Sequence, residues 1–149
     1  MLHYTFKKFD DLSLDELYQI MVLRQEVFVV EQDCPYLDAD GKDQQCHHVL
    51  GIDDEGELHS YARLVPMGIS YENYNSIGRV ITSSHYRGKG EGKRLMQNSI
   101  RHIKVLYPNE ATKISAQVYA LPFYHALGFV ETGDRYDEDG IPHAAMILA

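Results

Sequence analysis

The sequence predicts one mixed α/β (α+β) domain, with a mostly antiparallel sheet and helices on both of its faces. The first observation is size: 149 residues, of which 44% are hydrophobic and 24% charged, make one globular unit with its own core. The second is that segments with the two-residue period of strands alternate with segments of helical period. The third is a central unit in which a strand, a glycine cluster and a helix follow one another directly.

The chain opens with a strand and a helix. Residues 2–7 alternate apolar and polar side chains, as a half-buried strand does. Ser13 and Glu16 have the spacing of a capping box, and apolar residues then recur at helical intervals to about Val30. An amphipathic helix is therefore predicted from Ser13 onward.

An acidic loop and three strands come next. Residues 33–45 have neither period and predict an ordered or partly helical loop. Residues 48–52 and 58–65 are rich in apolar side chains and flank a turn with glycine and acidic residues, which predicts an antiparallel hairpin. Residues 77–82 form a further strand, which leads into the glycine cluster.

The last third of the chain predicts two helices, a strand and a strand pair. The helix after the glycine cluster has one face made of Leu95, Met96, Ser99, Ile100, Ile103 and Leu106. Residues 113–117 form a short strand, and residues 121–127 form a short helix that Gly128 closes with a left-handed cap. Phe129 and residues 144–148 begin and end the final strand pair.

Composition excludes several classes of protein. With 14 Lys and Arg against 22 Asp and Glu, the net charge of −8 favours solubility and disfavours a nucleic-acid partner. Two cysteines, Cys34 and Cys46, are too few for a disulfide scaffold, so the expected location is the reducing cytoplasm. No run reaches the roughly 20 apolar residues of a bilayer span, and residues 1–4 lack the layout of a secretion signal, so neither membrane nor export is expected.

The most informative segment is residues 87–94, which read Arg-Gly-Lys-Gly-Glu-Gly-Lys-Arg. Glycines let the backbone approach a ligand closely, and free N–H groups at the start of a helix bind anions. Four cationic side chains within eight residues create a local positive field in a protein of net charge −8. The segment therefore predicts a phosphate-binding loop; the alternative is a glycine-rich turn that only starts the helix.

Two common phosphate motifs do not fit this loop. The nucleoside triphosphate loop needs Ser or Thr at Arg94 and glycine at Arg87. The dinucleotide fingerprint needs glycine at Lys93 and a place in the first strand–helix unit of the chain. A different phosphate-bearing ligand is therefore indicated.

Residues 87–92 resemble the Arg/Gln-x-x-Gly-x-Gly/Ala loop of the GCN5-related N-acetyltransferase (GNAT) superfamily. Residues 77–82 are similar to the splayed central strand of that family, and residues 120–129 to its Ala-x-x-Phe-Tyr-x-x-x-Gly-Phe segment. Residues 23–36 and 139–143 are similar to the small bacterial ElaA-like branch. Together these stretches span most of the chain.

The resemblance implies a GNAT-like sheet of about six to seven strands, splayed at the strand that binds acetyl-coenzyme A. It implies a single N-acetyltransferase domain over residues 1–149, acetyl-coenzyme A as cosubstrate and a small-molecule or peptide amine as acceptor; a homodimer is compatible with it and no metal is required. It assigns coenzyme contacts to Val80, Ile81, Thr82, Arg87, Gly88, Lys89, Gly90, Glu91, Gly92, Lys93 and Tyr124. Many members have Asn where this chain has Gln117, so the contacts of that Asn are not transferred.

Acyl transfer from a thioester to an amine needs an oxyanion donor, an acid for the departing thiolate and a base for the amine. Backbone N–H groups of residues 80–82 suit the first role. A tyrosine hydroxyl titrates near 10, about a unit or two above a thiol, so Tyr124 is the expected general acid. Glu31 is placed among the catalytic residues because family analogy puts the acceptor pocket at the acidic loop that it heads; the other candidate bases are Asp43, His47, His48 and His143.

Alternatives stay open for several charged residues. Arg24, on the apolar stripe of the first helix, binds either a carboxylate of the acceptor or an internal partner. The acidic residues of 33–43 and 137–139 either attract a cationic acceptor or are only solvated. The competing functions are a non-catalytic coenzyme A-binding sensor and a purely structural module.

A zinc site is disfavoured. Its ligands would be Cys34, Cys46, His47 and His48. Eleven residues separate the two cysteines, and neighbouring residues of a strand face opposite sides of a sheet. A nucleophilic role for Cys34 is disfavoured as well, because the acidic residues around it would raise the pKa of its thiol; it is expected to be packed.

Overall fold

The computed structural model describes residues 1–149 and has seven strands and three α-helices in the predicted order. The strands are β1 (His3–Lys8), β2 (His47–Ile52), β3 (Leu58–Val65), β4 (Ser76–Thr82), β5 (Thr112–Gln117), β6 (Val130–Glu138) and β7 (Ile141–Leu148). The helices are α1 (Leu14–Arg24), α2 (Glu91–Leu106) and α3 (Leu121–Ala126). None of them combines the length and the apolar character that crossing a bilayer requires.

The strands form two antiparallel sheets, in the orders β1-β2-β3-β4 and β5-β7-β6. Where β4 and β5 begin, a parallel bridge joins Asn75 to Thr112. Beyond that bridge the two strands are not paired with each other, so the sheet is parted in its middle. The predicted mixed α/β fold with a splayed sheet is confirmed.

Helices α1 and α2 cover opposite faces of the four-stranded sheet. On one face, Val49 of β2 packs in the main core with Leu95 and Met96 of α2. The next residue of β2, Leu50, packs in a second core with Ile20 of α1. Successive side chains of a strand point to opposite faces, so the two cores lie on either side of the sheet, as predicted.

Helix α1 begins at the predicted capping box. The Glu16 N–H donates to Ser13 Oγ at 3.0 Å, and the Ser13 N–H donates to the Glu16 carboxylate at 2.8 Å. The predicted helical segment to about Val30 has the right extent, but its α-helical part ends at Arg24 and Gln25–Glu31 continues as a π-helix. Such wide turns are rare and are found mostly at functional sites.

The hairpin of β6 and β7 spans the predicted final strand pair, which the sequence bounds only at its two ends. Nearly every residue of β6 is exposed, so the strand has no apolar alternation to reveal it. It is held by its pairing with β7 through a two-residue turn, in which Asp139 and Gly140 have φ of 53° and 77°. Positive φ at both central residues is the geometry of a tight hairpin turn.

Candidate active site

The glycine loop connects β4 to α2 and leaves its backbone N–H groups without acceptors in the protein. Gly88 and Gly90 have φ of 76° and 81°, and Gly90 caps the helix in the left-handed conformation. The N–H groups of residues 88–93 donate to no acceptor within the protein. A row of free donors at a helix start, next to its positive dipole end, is suited to an anion.

The cationic side chains of this loop differ in the contacts that they make. Arg87 Nε donates to the Thr82 carbonyl at 2.9 Å, and its Nη2 donates to the Glu31 carboxylate at 2.7 Å. Lys89 Nζ lies 5.4 Å from the centre of the Tyr86 ring. Lys93 is exposed. Arg87 therefore ties the end of β4 to the end of the π-helix.

Glu91 contributes only its backbone N–H group to the row of free donors in the glycine loop. Its buried carboxylate accepts hydrogen bonds from the Tyr4 hydroxyl at 2.8 Å and from Arg94 at 2.6 Å. Tyr4 reaches it by crossing Gly51, where an added Cβ would lie 2.9 Å from the tyrosine ring. Burial raises the pKa of Tyr4. These contacts fix the first turn of α2 and keep a negative charge away from the free N–H groups.

Strand β4 is distorted where the sheet parts. Pairing with β3 shifts between Tyr61 and Arg63, because β4 carries one extra residue there. Arg79, in this bulge, has a φ of 50°, which is rare for a residue other than glycine. Ile81 packs its side chain in the core beneath α1, so only its backbone faces the parted edge.

A cavity of about 600 Å³ opens between β4 and β5. The π-helix contributes Phe28 to its wall, the loop of residues 33–45 contributes Cys34 and Tyr36, and α3 contributes Tyr124. Gln117, at the position of the family's Asn, is also in the wall. The cavity thus brings together segments from all parts of the chain.

Tyr124 lies in the wall of this cavity. Its ring contacts Phe123 and Phe129 edge to face, with centroids 5.1 Å and 5.8 Å away. Burial raises the pKa of its hydroxyl to about 12. The hydroxyl has no hydrogen-bond partner within the protein and is free to donate to a ligand.

Of the candidate bases, His143 is the one in the cavity wall. Its Nδ1 lies 2.7 Å from the carbonyl of Ile141 and therefore carries the proton. Its Nε2, which holds the lone pair of the neutral ring, lies 3.3 Å from the Glu138 carboxylate. An imidazole in this state can accept a proton at Nε2 and pair with Glu138 once charged.

The other candidates lie elsewhere. The Glu31 carboxylate is paired with Arg87 and is not in the cavity wall. Both ring nitrogens of buried His48 are bonded, to the Tyr61 hydroxyl and to the Asp43 carbonyl, and burial lowers its pKa. Burial and the neighbouring His102 lower the pKa of His47, which is outside the wall.

The four cysteine and histidine residues weighed as zinc ligands do not converge. Cys34 lines the cavity, whereas the buried Cys46 thiol donates to the Lys42 carbonyl and burial raises its pKa to about 11. His48 has no free nitrogen, as described above. Cys34 is half-buried in a wall, which agrees with the expected packing.

The acidic loop is neutralised by arginines and is not a free cation-binding surface. Arg24 is fully buried and donates to Asp38 at 2.7 Å and to Asp43 at 2.7 Å. Arg63 donates to Asp43 at 2.9 Å and to Asp40 at 2.6 Å. Of the two roles left open for Arg24, the internal one is correct. The negative charges that do reach the cavity belong to Glu138 and Asp139.

Arg79 is a cavity residue that sequence reasoning missed. It sits among apolar residues of β4, and it completes the network by donating from Nε to Asp38 at 2.8 Å. The one signal in the sequence is a cation inside an apolar strand, which needs an acidic partner.

Comparisons with known proteins agree with this geometry. A family model described as an acetyltransferase (GNAT) domain matches residues 17–149. A UPF0039 protein of Synechocystis is 42% identical over 147 residues, which are 99% of this chain and 95% of that protein. Protein ElaA of Escherichia coli is 37% identical over 98% of this chain and 95% of its own length.

Solved structures give the same answer. The crystal structure of an acyl-CoA N-acyltransferase from Pseudomonas aeruginosa has a TM-score of 0.94 at 40% identity and covers 100% of both chains. The crystal structure of Escherichia coli ElaA has a TM-score of 0.93 at 35% identity, also over 100% of both chains. The chain therefore belongs to the GNAT superfamily, in its ElaA-like branch, and is an acyl-coenzyme A-dependent acyltransferase.

Proposed function

We propose that the protein is an acetyl-coenzyme A-dependent N-acetyltransferase, in which a primary amine of a small molecule or peptide attacks the thioester directly. One observation carries the proposal. The free N–H groups of residues 88–93 lie at one end of the unpaired edge of β4, and the cavity lined by Tyr124 and His143 lies beside that edge. An anion-binding loop and an acid–base pair are thus connected by one strand.

In this proposal the loop holds the diphosphate of the coenzyme. The N–H groups of residues 88–93 donate to its oxygens, and Arg87, Lys89 and Lys93 add positive charge. The backbone of residues 80–82 then borders the pantetheine arm. Bound acetyl-coenzyme A supplies the thioester whose acetyl group is transferred.

The transfer is proposed to use three groups of this chain. An N–H of β4 donates to the thioester oxygen as it gains negative charge, while a bond forms between the amine nitrogen and the carbonyl carbon. His143 Nε2 takes the proton that the nitrogen loses, and Glu138 stabilises the resulting imidazolium. The C–S bond breaks with its electron pair moving to sulfur, and the sulfur receives a proton from Tyr124.

The raised pKa of Tyr124 defines how this last step works. A hydroxyl with a pKa of about 12 stays protonated at neutral pH. Full transfer of its proton to a thiolate of pKa about 8.5 is unfavourable by about 5 kcal/mol. We therefore propose that Tyr124 donates a hydrogen bond to the sulfur during C–S cleavage and releases its proton only as it regains the proton that His143 took from the nitrogen.

The remaining proposals concern the domain organisation, the cellular location and the assembly of the protein. We propose that residues 1–149 act as one catalytic domain in the cytoplasm, where the thiols of Cys34 and Cys46 stay reduced. Assembly as a homodimer stays a prediction.

The test combines thiol release with coenzyme binding. Removing the hydroxyl in Tyr124→Phe is expected to lower kcat by about 10²-fold or more, as loss of a general acid does, while coenzyme affinity changes little. Tyr18→Phe is the control, because Tyr18 is an exposed tyrosine of α1 outside the cavity wall. Equal rates in Tyr124→Phe and wild type would remove Tyr124 from the mechanism.

Binding separates the competing functions. At 100 times its dissociation constant, coenzyme A should stabilise the fold by about 2.7 kcal/mol. Stabilisation without thiol release for any amine would identify a coenzyme A-binding sensor. If coenzyme A does not stabilise the fold and no amine leads to thiol release, the function that remains is that of a structural module.

A further inference from the structure

Arg79 lies in the cavity wall, and one of the three nitrogens of its guanidinium is unused. Nε donates to Asp38 Oδ1 at 2.8 Å, and Nη2 donates to the Asp38 carbonyl at 3.1 Å and to Asp40 at 3.4 Å. Nη1 has no acceptor within the protein and is not sealed from solvent. An arginine presents five N–H groups in one plane, so the two of Nη1 remain available to a ligand.

This guanidinium is held in place before any ligand arrives. Its Cζ lies 5.9 Å from the ring centres of both Phe28 and Tyr36. The backbone of Arg79 is kept at a φ of 50°, a strained conformation that persists only when its surroundings impose it. A fixed donor pair loses little entropy on binding an anion.

Carboxylates line the same cavity from another element. Glu138 and Asp139, at the β6–β7 turn, reach the wall together with His143. They favour an ammonium group, whereas Nη1 of Arg79 favours a carboxylate. Between these charges, 11 of the 19 residues of the wall are hydrophobic. The lining is therefore complementary to a zwitterion with an apolar body.

We propose that the acceptor is a free amino acid, bound through its carboxylate by Arg79 and through its amine near His143 and Glu138. The inference rests on the proposed N-acetyltransferase function and names the substrate class of the same site. The other two arginines of the network, Arg24 and Arg63, are buried and lie outside the wall. A peptide N-terminus would bring an amide in place of the carboxylate and would lose the charged hydrogen bonds.

The test uses matched acceptors on the wild-type protein. For phenylalanine, leucine and methionine, acetylation of the amino acid is compared with that of its amide and of the amine lacking the carboxylate. Rates are expressed per unprotonated amine, because the three forms differ in amine pKa. In at least one series, kcat/KM is expected to be about 10- to 100-fold higher for the amino acid, the range of a charged hydrogen bond.

A variant then assigns the preference to Arg79. In Arg79→Gln the ratio of kcat/KM between amino acid and amide should fall close to one, whereas Arg101→Gln, on the exposed side of α2, should keep the wild-type ratio. A ratio measured on one protein is insensitive to partial loss of folded enzyme. Should Arg79→Gln fail to fold, Arg79→Lys keeps the charge, loses the planar donor pair and should lower the ratio part of the way.

Two outcomes overturn the inference and can be told apart. If amides or carboxylate-free amines are acetylated as well as the amino acids in every series, or if the preference survives in Arg79→Gln, this inference is wrong and the N-acetyltransferase stands. If no acceptor leads to thiol release, the proposed function fails and the inference falls with it.

Discussion

The carbonyl of Ile141 decides which nitrogen of His143 is basic. Because it accepts the Nδ1 proton at 2.7 Å, the lone pair of the neutral ring is at Nε2, on the side of Glu138. One backbone oxygen thus fixes the tautomer that the proposed role of His143 as base requires.

His143→Gln is expected to lower kcat/KM for the acceptor by about 10²- to 10⁴-fold, the usual contribution of a positioned base. The residual rate should then rise tenfold per pH unit up to the pKa of the amine, because only spontaneously unprotonated amine reacts. Steady-state kinetics between pH 6 and 9 measure this. His47→Gln is the control, and the same signature in Glu31→Gln would move the role of base to Glu31.

Single residues were accessible to sequence reasoning only where a short motif contained them. Tyr124 was located because the Phe-Tyr segment is local in the chain. The pairing of Glu31 with Arg87 joins residues 56 apart, and no local pattern encodes it. The place of Arg79 depends on a bulge and on a loop whose aspartates lie about 40 residues upstream, so it had to await the folded chain.

Among the elements, the glycine loop allows the effect of a glycine substitution on stability to be separated from its effect on coenzyme binding. Gly90 and Gly133 have φ of 81° and 70°, and an added Cβ would meet nothing within 4 Å at either position. Both therefore lose stability for the same reason when changed to alanine. They differ in location, since Gly90 caps α2 whereas Gly133 lies in β6.

Gly90→Ala and Gly133→Ala are each expected to lower the free energy of unfolding by about 1 kcal/mol. Only Gly90→Ala should weaken coenzyme A binding, because it distorts the row of free N–H groups. Chemical denaturation and calorimetric titration of both variants measure the two effects. Equal coenzyme affinity in the two variants would contradict a role of the loop in binding.

At this scale the sequence was informative wherever one face of an element is buried. Helix α2 and the hairpin of β2 and β3 were predicted because their apolar residues repeat with a clear period. For β6 only the start near Phe129 was predicted, because its side chains face solvent and its backbone pairing holds it. The change from α-helix to π-helix after Arg24 leaves the pattern of apolar residues unbroken, so periodicity could not reveal it.

Across the whole molecule, the arginine and aspartate network joins the loop of residues 33–45 to α1, β3 and β4. Hydrogen bonds from Arg63 lower the pKa of Asp40. Burial alone would raise the pKa of Asp43, but bonds from Arg24 and Arg63 outweigh it and lower that pKa. The folded state therefore holds both carboxylates charged more strongly than the unfolded state does.

Acid should weaken the fold through this network. A carboxyl group whose pKa is lower in the folded state stabilises the fold at pH values above its unfolded pKa of about 4. This stabilisation is lost as the pH falls below that value. The free energy of unfolding, measured by urea denaturation from pH 7 to pH 3, is expected to drop mainly below pH 4. Asp43→Asn should lose about 3–5 kcal/mol at pH 7, because it leaves buried arginines short of charge, and should show a shallower acid dependence.

A matched control makes that experiment specific. Asp11→Asn changes an exposed carboxylate that has no partner in the structure, so its stability and acid dependence should match wild type. An acid dependence in Asp43→Asn as steep as that of wild type would show that other carboxylates govern acid unfolding.

The parting of β4 from β5 also bears on how the protein avoids self-association. A strand with an unsatisfied edge at the rim of a sheet is a template for other chains and invites aggregation. Here that edge lies in a cavity whose wall includes residues of the π-helix and of the β6–β7 hairpin, so it is not at the rim of the sheet. Under the proposed function, the pantetheine arm, a slender molecule with amides along its length, pairs with this edge in place of a strand. Binding of the coenzyme then also satisfies the open edge of the sheet.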